Sequence, residues 1–460
     1  MSHVAVIDIG KTNAKLALVD RETLSEIAVV TRPNTVLPGP PWPHFDVDGH
    51  WTFLLNALSD FHVEHGIDAI SITTHGASLA LLGADGVLAA PVLDYEHTGP
   101  DQLSAEYDNI RPPFAETGSP RLGMGLNAGA QLFWQFRSDP GLLARTDRIL
   151  TYPQYWACRL TGVAATEVTS LGCHTDLWNP YRREFSSLTG RLGIADKLAP
   201  VRLAGDVLGP ILPGIARLTG LARDTPVYCG IHDSNASLLP HLLSRTAPYS
   251  VVSSGTWVIA MAIGGRKVEL DAALDTLVNV NALGNPVRSA RFMGGREYDL
   301  AMGGPCPEPT EDDVRLVLEG RAMVLPAVVS ATGPFSGRKA SWLNEPPAGT
   351  GERAAAVGFY LALVTARCLE LVGHEGPVVL EGPFAKNECY RRMLAVATGS
   401  DVLVTGGTTG TSQGAALLGV HSLPTGAIHT VAKATGSNAT TEWTDYLMEW
   451  KGRVFSASPE

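Results

Sequence analysis

Apolar residues along the chain fall into short runs, some with strand-like alternation and some with helical spacing, and two of these runs are near copies of one another. Residues 4–19 read VAVIDIGKTNAKLALV, two β-rich arms around a Gly-Lys-Thr-Asn turn, a pattern that predicts a hairpin. Residues 249–263 read YSVVSSGTWVIAMAI, and setting Gly10 against Gly255 aligns the apolar arms on both sides. An internal repeat of this kind predicts a duplicated domain. Between the copies, residues 69–73 read as a strand, and residues 130–137 and 153–160 as helices, alternating in the α/β manner. The second half alternates too. Residues 353–372 have helical apolar spacing, residues 377–380 form a short strand opening onto Glu381-Gly382-Pro383, and residues 401–404 form another before Gly406-Gly407. The pattern predicts two α/β domains with a cleft between them. Pro210, Pro213 and Gly214 mark a loop ahead of the second hairpin, which puts the boundary between domains 1–228 and 229–460. Residues 303–309 and 345–351 read as surface loops, and the chain is expected to fray from Lys451 onward.

Composition narrows the partners more than the fold. At roughly 100 to 200 residues per domain, 460 residues suggest two to four folding units. With 35 basic against 46 acidic side chains, the net charge is −11 and there is no basic run. Affinity for nucleic acid or anionic lipid depends on Lys and Arg neutralising phosphates, so neither partner is expected. Cys158, Cys173, Cys229, Cys306, Cys368 and Cys389 are scattered without a C-x-x-C, and read as buried thiols in a reducing compartment rather than as a zinc or disulfide framework. The N-terminus enters an apolar strand with no basic n-region, and no stretch reaches the roughly 18 uninterrupted apolar residues of a membrane helix, so the expected location is the cytoplasm. Homodimerisation stays open.

Two familiar motifs fail on inspection. Gly10-Lys11-Thr12 resembles the end of a P-loop, but Ala5 stands where the Walker pattern needs glycine, and a strand follows where a helix is required. Gly123-x-Gly125 fails the dinucleotide fingerprint, because its third glycine, Gly129, comes one residue late. What remains is a hairpin in which Asp8 ends the first arm and the turn offers backbone N–H groups beside the Thr12 and Asn13 side chains. Successive turn amides make an anion nest, and Asp8 suits the Mg²⁺ that accompanies a nucleoside triphosphate. The alternative is a plain hairpin whose Asp8 accepts turn hydrogen bonds. The second hairpin, with Ser253-Ser254-Gly255-Thr256, favours a phosphate role for both.

In the order and spacing of its motifs, nearly the whole chain resembles the FGGY carbohydrate kinases, members of the sugar-kinase, heat-shock-ATPase and actin superfamily. Asp8-Ile9-Gly10-Lys11-Thr12-Asn13 is similar to the family's first phosphate loop, D-x-G-T-T-S, with Lys15 where a basic residue is common. Thr74-His75-Gly76 resembles the sugar-contacting Q-M-H-G segment, and residues 91–96 (PVLDYE), with Asp94, sit where members keep further substrate contacts. Gly230-Ile231-His232-Asp233 resembles the G-x-x-D segment carrying the catalytic Asp, Ser254-Gly255-Thr256 the second phosphate loop, and residues 382–387 (GPFAKN) the adenosine-site G-G-G-A-K-N. The resemblance implies two duplicated actin-like, ribonuclease H-like domains, with the sugar site and first phosphate loop in the first and the ATP site in the second, the base lying near the second domain's start. It implies ATP and Mg²⁺, Asp233 as base, Asp8 at the metal, and His75, Gly76, Asp94 and Asp233 on the sugar. Lys11, Thr12, Asn13, Lys15, Gly255, Thr256, Gly382, Ala385 and Asn387 fall on the nucleotide. Three departures stand out. Lys11 adds a cation to the first loop, Pro383-Phe384 replaces two glycines at the adenosine site, and Asp94-Tyr95-Glu96 replaces the more usual Trp-Asn-Asp.

The chemistry agrees with this assignment. Phosphoryl transfer needs positioning, charge neutralisation and one group to take the proton of the attacking hydroxyl. Asp233 suits that role, against the alternative of an N-cap for the helix-like 234–238 segment. His75 falls at the carboxyl end of a strand, where α/β ligands bind; His232 reads as a packing or hydrogen-bonding neighbour, and residues 291–297 (RFMGGRE) as a pocket wall or only a turn. The expected activity is ATP-dependent phosphorylation of a small sugar, a ketose of the L-rhamnulose, L-fuculose, xylulose or ribulose type, or a polyol. Its competitors are a nucleotide-switch or sugar-sensing protein of the same fold, without transfer.

Overall fold

A computed structural model of the chain describes residues 2–407, 410–420, 423, 428–435 and 440–456. It divides into two compact units: Met1–Ser244 with Val278–Pro286 and Gly407–Ile428, and Arg245–Leu277 with Val287–Gly406 and His429–Glu460. The units part after Ser244, whereas the sequence places its boundary at residue 228. The reason is local: Ile231–His232 pairs with a strand of the first sheet, and the helix that follows packs in that unit's core.

In the first unit, β1 (His3–Ile9) and β2 (Asn13–Asp20) form the expected antiparallel hairpin, with Asp8 opposite Lys15. β3 (Glu26–Pro33) lies outside β2, and β4 (Ala69–Thr74) runs parallel to β1 on its other side. With β5 (Val207–Pro210) and β6 (Pro226–Tyr228) the order is β5-β6-β4-β1-β2-β3, and the short β7 (Ile231–His232) pairs with the end of β4. Successive strand side chains point to opposite faces, so the unbroken apolar run of β1 feeds two cores. Ala5, Ile7 and Ile9 pack with Leu54 and Leu58 of α1 (Val47–His65) and with Trp156 and Leu160 of α3 (Tyr152–Thr161); α2 (Ala128–Ser138) contributes Leu132 to a neighbouring cluster. Val4 and Val6 pack on the other face with Ala236 and Leu239 of α4 (Asp233–Ser244) and with Ala415 and Ala416 of the short helix Thr411–Ala416. Burying each such Val, Leu or Ile stabilises by about 1.5–3 kcal/mol. Helices on both faces explain why β1 lacks a polar face.

The second unit repeats the plan. β8 (Tyr249–Ser254) and β9 (Val258–Ile263) form an antiparallel hairpin; β10 (Thr276–Val280) and β11 (Pro286–Phe292) continue beyond β9. β12 (Val378–Glu381) runs parallel to β8 as β4 does to β1, followed by β13 (Val402–Gly407) and β14 (Ile428–Ala434), in the order β10-β11-β9-β8-β12-β13-β14. The helices that bear on function and packing are α5 (Gly294–Met302), α6 (Gly351–Leu371), α7 (Glu388–Thr398) and α8 (Thr441–Ser456). By length and composition α6 is apolar enough to cross a membrane, but 78% of its most apolar window is buried inside the protein, against Tyr390 and Met393 of α7 and Trp443 and Trp450 of α8. The helix α8 runs on to Ser456, which corrects the expectation of fraying from Lys451. Buried Trp450 and Val454 anchor that last stretch to the core; residues 457–460 lie outside the described residues. All six cysteines are free, but Cys158 and Cys306 are only half-buried, so the expectation of uniformly buried thiols holds for the other four.

Candidate active site

The first predicted loop is a tight turn closed by the Gly10 N–H donating to the Asn13 carbonyl at 2.9 Å, and strand β2 follows it directly. Asn34 braces the turn, donating from its backbone to the Thr12 carbonyl and from Nδ2 to the Gly10 carbonyl, each at 2.8 Å. Thr12 and Asn13 are exposed, and their side chains are open to a ligand. Asp8, at the end of β1, is 9% exposed. Its Oδ2 accepts from the Thr411 hydroxyl at 2.6 Å and the Ser412 hydroxyl at 3.2 Å, and lies 3.4 Å from Lys15 Nζ. Thr411 and Ser412 escaped the sequence reading, and the glycine and hydroxyl-rich run before them was its only signal.

Lys11, the added cation, is held in an ion pair with Asp94 and lies 3.0 Å from Glu96 Oε2. Its ammonium stands 4.8 Å from the centroid of the Tyr95 ring. The same rings enclose His75, whose imidazole is 5.0 Å from Phe45 and 5.2 Å from both Tyr95 and Tyr152. Burial holds the imidazole below its ordinary range and therefore neutral, and Nδ1 is 2.9 Å from the Gly76 carbonyl oxygen. That contact makes Nδ1 the protonated nitrogen, which leaves Nε2 as an acceptor. Buried Nε2 has no hydrogen-bond partner among the described residues, so it is free to accept from a donor. Burial raises the Tyr95 phenol, and the charges of Glu96 and then Asp233 add to it, so Asp233 acts on this cluster electrostatically.

Asp233 opens α4, and its Oδ1 accepts from the Ser234 N–H at 2.6 Å. Oδ1 also lies 3.1 Å from His232 Nε2, and that nitrogen is 3.6 Å from Cys173 Sγ. Burial pulls the His232 imidazole down, but the Cys173 and Asp233 charges outweigh it and raise it to about 9. For Cys173, burial pushes the thiol up, and the neighbouring His174 and His232 overcome this and bring it to about 5. Gly76 is required here, since a Cβ on it would stand 2.8 Å from His232 Nε2 and 3.2 Å from Cys173 Sγ.

The second predicted loop lies at a cavity of about 780 Å³ within the second unit. Gly255, Thr256 and Asn387 line it, with Gly295 and Arg296 at the start of α5 and Pro383, Phe384 and Lys386. Gly294-Gly295 is thus a helix start, and Gly295 lines the pocket. Gly295 approaches the loop so closely that a Cβ would come within 2.5 Å of the Gly255 carbonyl oxygen. Gly382 and Ala385 do not line the cavity; they shape the single 3₁₀ turn that does. Asn387 caps α7, its side chain accepting from the Tyr390 N–H at 2.9 Å. Each predicted residue therefore falls in one of two groups, one per unit.

Comparison with known proteins finds family models over both halves of the chain. Residues 3–240 match the model of the FGGY family of carbohydrate kinases, N-terminal domain, and residues 246–427 the model of carbohydrate kinase FGGY, C-terminal domain. The chain belongs to the FGGY family. The L-fuculokinase of Salmonella typhi is 27% identical over 271 residues, 57% of this chain and 57% of that protein. The L-xylulose/3-keto-L-gulonate kinase of Escherichia coli strain K12 is 26% identical over 269 residues, 56% of this chain and 53% of that protein. The chain spans a little over half the length of these curated FGGY relatives. A solved carbohydrate kinase from Novosphingobium aromaticivorans is 36% identical, covers 99% of this chain and 100% of its own, and superposes with a TM-score of 0.91. A ligand-bound xylulose kinase from Lactobacillus acidophilus, at 16% identity, 100% and 99% coverage and TM-score 0.78, shares the FGGY fold alone.

Proposed function

We propose that the chain catalyses ATP-dependent phosphorylation of a small sugar, a ketose of the kind named in its fuculose and xylulose relatives. The observation that carries this reading is the buried, unpartnered Nε2 of His75 in a cluster that senses the Asp233 charge, a place for a substrate hydroxyl beside a carboxylate. His75 Nε2 accepts from one sugar hydroxyl, Gly76 leaves room for the chain of groups behind it, and Asp94 orients a second hydroxyl. The attacking hydroxyl loses its proton to Asp233 as its oxygen bonds to the γ-phosphorus and the bond to the ADP oxygen breaks. Thr12, Asn13 and Lys15, with the amides of their turn, hold phosphate in the first unit, whereas Lys11, expected there, is committed to Asp94 and Glu96 beside the His75 cluster. In the second, Gly255, Thr256 and Asn387 face the nucleotide, with Gly382 and Ala385 setting the turn.

Among the described residues no cluster of three or more His, Cys, Asp or Glu side chains could hold a metal by itself. The donor set fits a metal that arrives with ATP. Mg²⁺ is ordinarily held by one or two carboxylates plus phosphates and water, and Asp8 offers one carboxylate with the Thr411 and Ser412 hydroxyls beside it. Bound there, Mg²⁺ would neutralise charge on the β- and γ-phosphates. Cytoplasmic location belongs to the same proposal.

The test is ADP release by purified protein with Mg²⁺ and ATP across ketoses, aldoses and polyols, beside a no-sugar control and Asp233→Asn. The expected result is stimulation by one ketose class, with turnover in the variant lower by at least about a hundredfold. Sugar-independent hydrolysis, or near-normal turnover in Asp233→Asn, would overturn the reading.

A further inference from the structure

The Cys173 and His232 pair has no part in the reaction as described above, yet it forms a continuous chain with Asp233. His232 is enclosed by groups from every element around it. Cys173, next to His174, approaches Nε2 from the loop after Val168–Leu171, and Asp233 approaches the same nitrogen from α4. The Asn235 carboxamide, also on α4, lies 3.4 Å from Nδ1. The backbone N–H of His232 donates to Thr169 Oγ1 at 3.0 Å, and Thr169 in turn donates to buried Glu167 at 2.6 Å. His75 adds its electrostatic influence from the substrate side. Cys173 and His232 are 4% and 7% exposed, whereas the Asp233 side chain is 31% exposed. A buried pair behind a half-open carboxylate fixes one of its oxygens and leaves the other to solvent or substrate.

We propose that Cys173 and His232 are positioning residues for Asp233: the imidazole, held against the Cys173 sulfur, donates from Nε2 to Oδ1 and leaves Oδ2 to receive the hydroxyl proton of the acceptor. The inference rests on the reading of Asp233 as the base. With Oδ1 committed to His232 Nε2, the Ser234 N–H and the Ser234 hydroxyl, the carboxylate cannot rotate freely, and its remaining lone pairs are aimed by the protein. Asn235 presents Nδ2 to Nδ1; when the ring carries both protons, the carboxamide turns over to offer its oxygen as acceptor, its orientation being set by the hydrogen-bond network. The thiolate stabilises the imidazolium, and the imidazolium strengthens the donation to Asp233. The glycine at position 76 is what permits this chain to approach the strand end.

The experiment uses the full chain and the ketose giving the highest ADP release in the panel, with initial rates from pH 6 to 10. His232→Leu is expected to lower kcat by tenfold or more while the KM for the ketose stays within about threefold. His232→Gln, whose amide can still donate to Oδ1, should recover most of the loss and lack the fall in rate as pH passes about 9. Cys173→Ala should move that fall to lower pH. Imidazole ¹H–¹⁵N spectra of the ligand-free protein provide a readout independent of turnover: the His232 ring should stay protonated to about pH 9 in the parent and lose its proton nearer the ordinary histidine value in Cys173→Ala. A parental kcat and pH profile in His232→Leu, with Asp233→Asn inactive, would overturn the positioning role while leaving the base intact. So would equal losses in the Leu and Gln variants accompanied by a matching drop in thermal stability, or a parental His232 ring that titrates at the ordinary value. Activity in Asp233→Asn would instead remove the base, and this inference with it.

Discussion

At His75 the decisive fact is one nitrogen. The imidazole packs among Phe45, Tyr95 and Tyr152, so its ring is a core residue, while its Nε2 lacks any partner among the described residues. The sequence indicated the position, a histidine at a strand's carboxyl end, but the three rings around it come from segments far apart in the chain. Replacing His75 with Phe keeps the packing and removes the acceptor. A neutral hydrogen bond contributes about 0.5–1.5 kcal/mol, so the KM for the sugar should rise roughly two- to thirteenfold, with that for ATP unchanged. Steady-state kinetics with each substrate varied in turn would decide it; equal weakening of both ligands counts against a sugar contact. His232 and Cys173 are the opposite case. One stands beside an Asp in sequence and the other is a lone thiol, and nothing in their spacing of 59 residues announces a shared proton.

Among the elements, the paired hairpins were the most legible. Alternating β-branched arms around glycine turns specified β1, β2, β8 and β9, because a strand with both faces buried needs apolar residues throughout. Register followed from the turns, with Asp8 opposite Lys15 and Ser254 opposite Val258. Less legible was the Gly382 turn after β12, where the two glycines expected beside it are Pro383 and Phe384. Pro383 opens a 3₁₀ turn, a position that proline tolerates, and Phe384 is buried against Tyr390. Gly382 itself adopts φ 82° and a Cβ on it would come within 1.9 Å of the Ser254 carbonyl oxygen. Gly382→Ala should therefore shift both the second loop and the turn lining the cavity, raising the KM for ATP by more than that for the sugar. Calorimetric titration with an ATP analogue, set beside the sugar KM, tests this; unaltered nucleotide affinity would contradict it. The helix Thr411–Ala416 shows the same limit from the other side. Its hydroxyls reach Asp8 only because distant segments are folded against one another, 403 residues apart in sequence for Thr411.

Across the whole molecule, two buried neutral histidines contribute an acid-sensitive part of the stability, opposed by Glu167 and Glu297, which burial raises to about 7 and about 6. His50 and His374 are each pulled down to about 4, first by burial and then by the Arg32 and Arg266 charges respectively. Between that value and the ordinary ~6.5 the unfolded chain binds protons at these two histidines that the folded chain does not, so their contribution to stability rises with pH there and falls on acidification. Thermal melts of His374→Gln and the parent should differ most near neutral pH and converge toward pH 4, because the variant lacks the His374 contribution that acid removes. A Tm difference between the two proteins that does not change with pH over this range would refute the argument. By itself the sequence determined the duplicated α/β plan, the two loops and the identity of the charged residues, since strand burial and turn geometry are local and written in periodicity. Only the tertiary structure decided that the residues after position 228 stay with the first unit as far as Ser244, that Thr411 and Ser412 meet Asp8, and that Cys173 and His232 stand behind Asp233. Such contacts join segments tens to hundreds of residues apart, and their strength depends on burial, which no stretch of sequence carries alone.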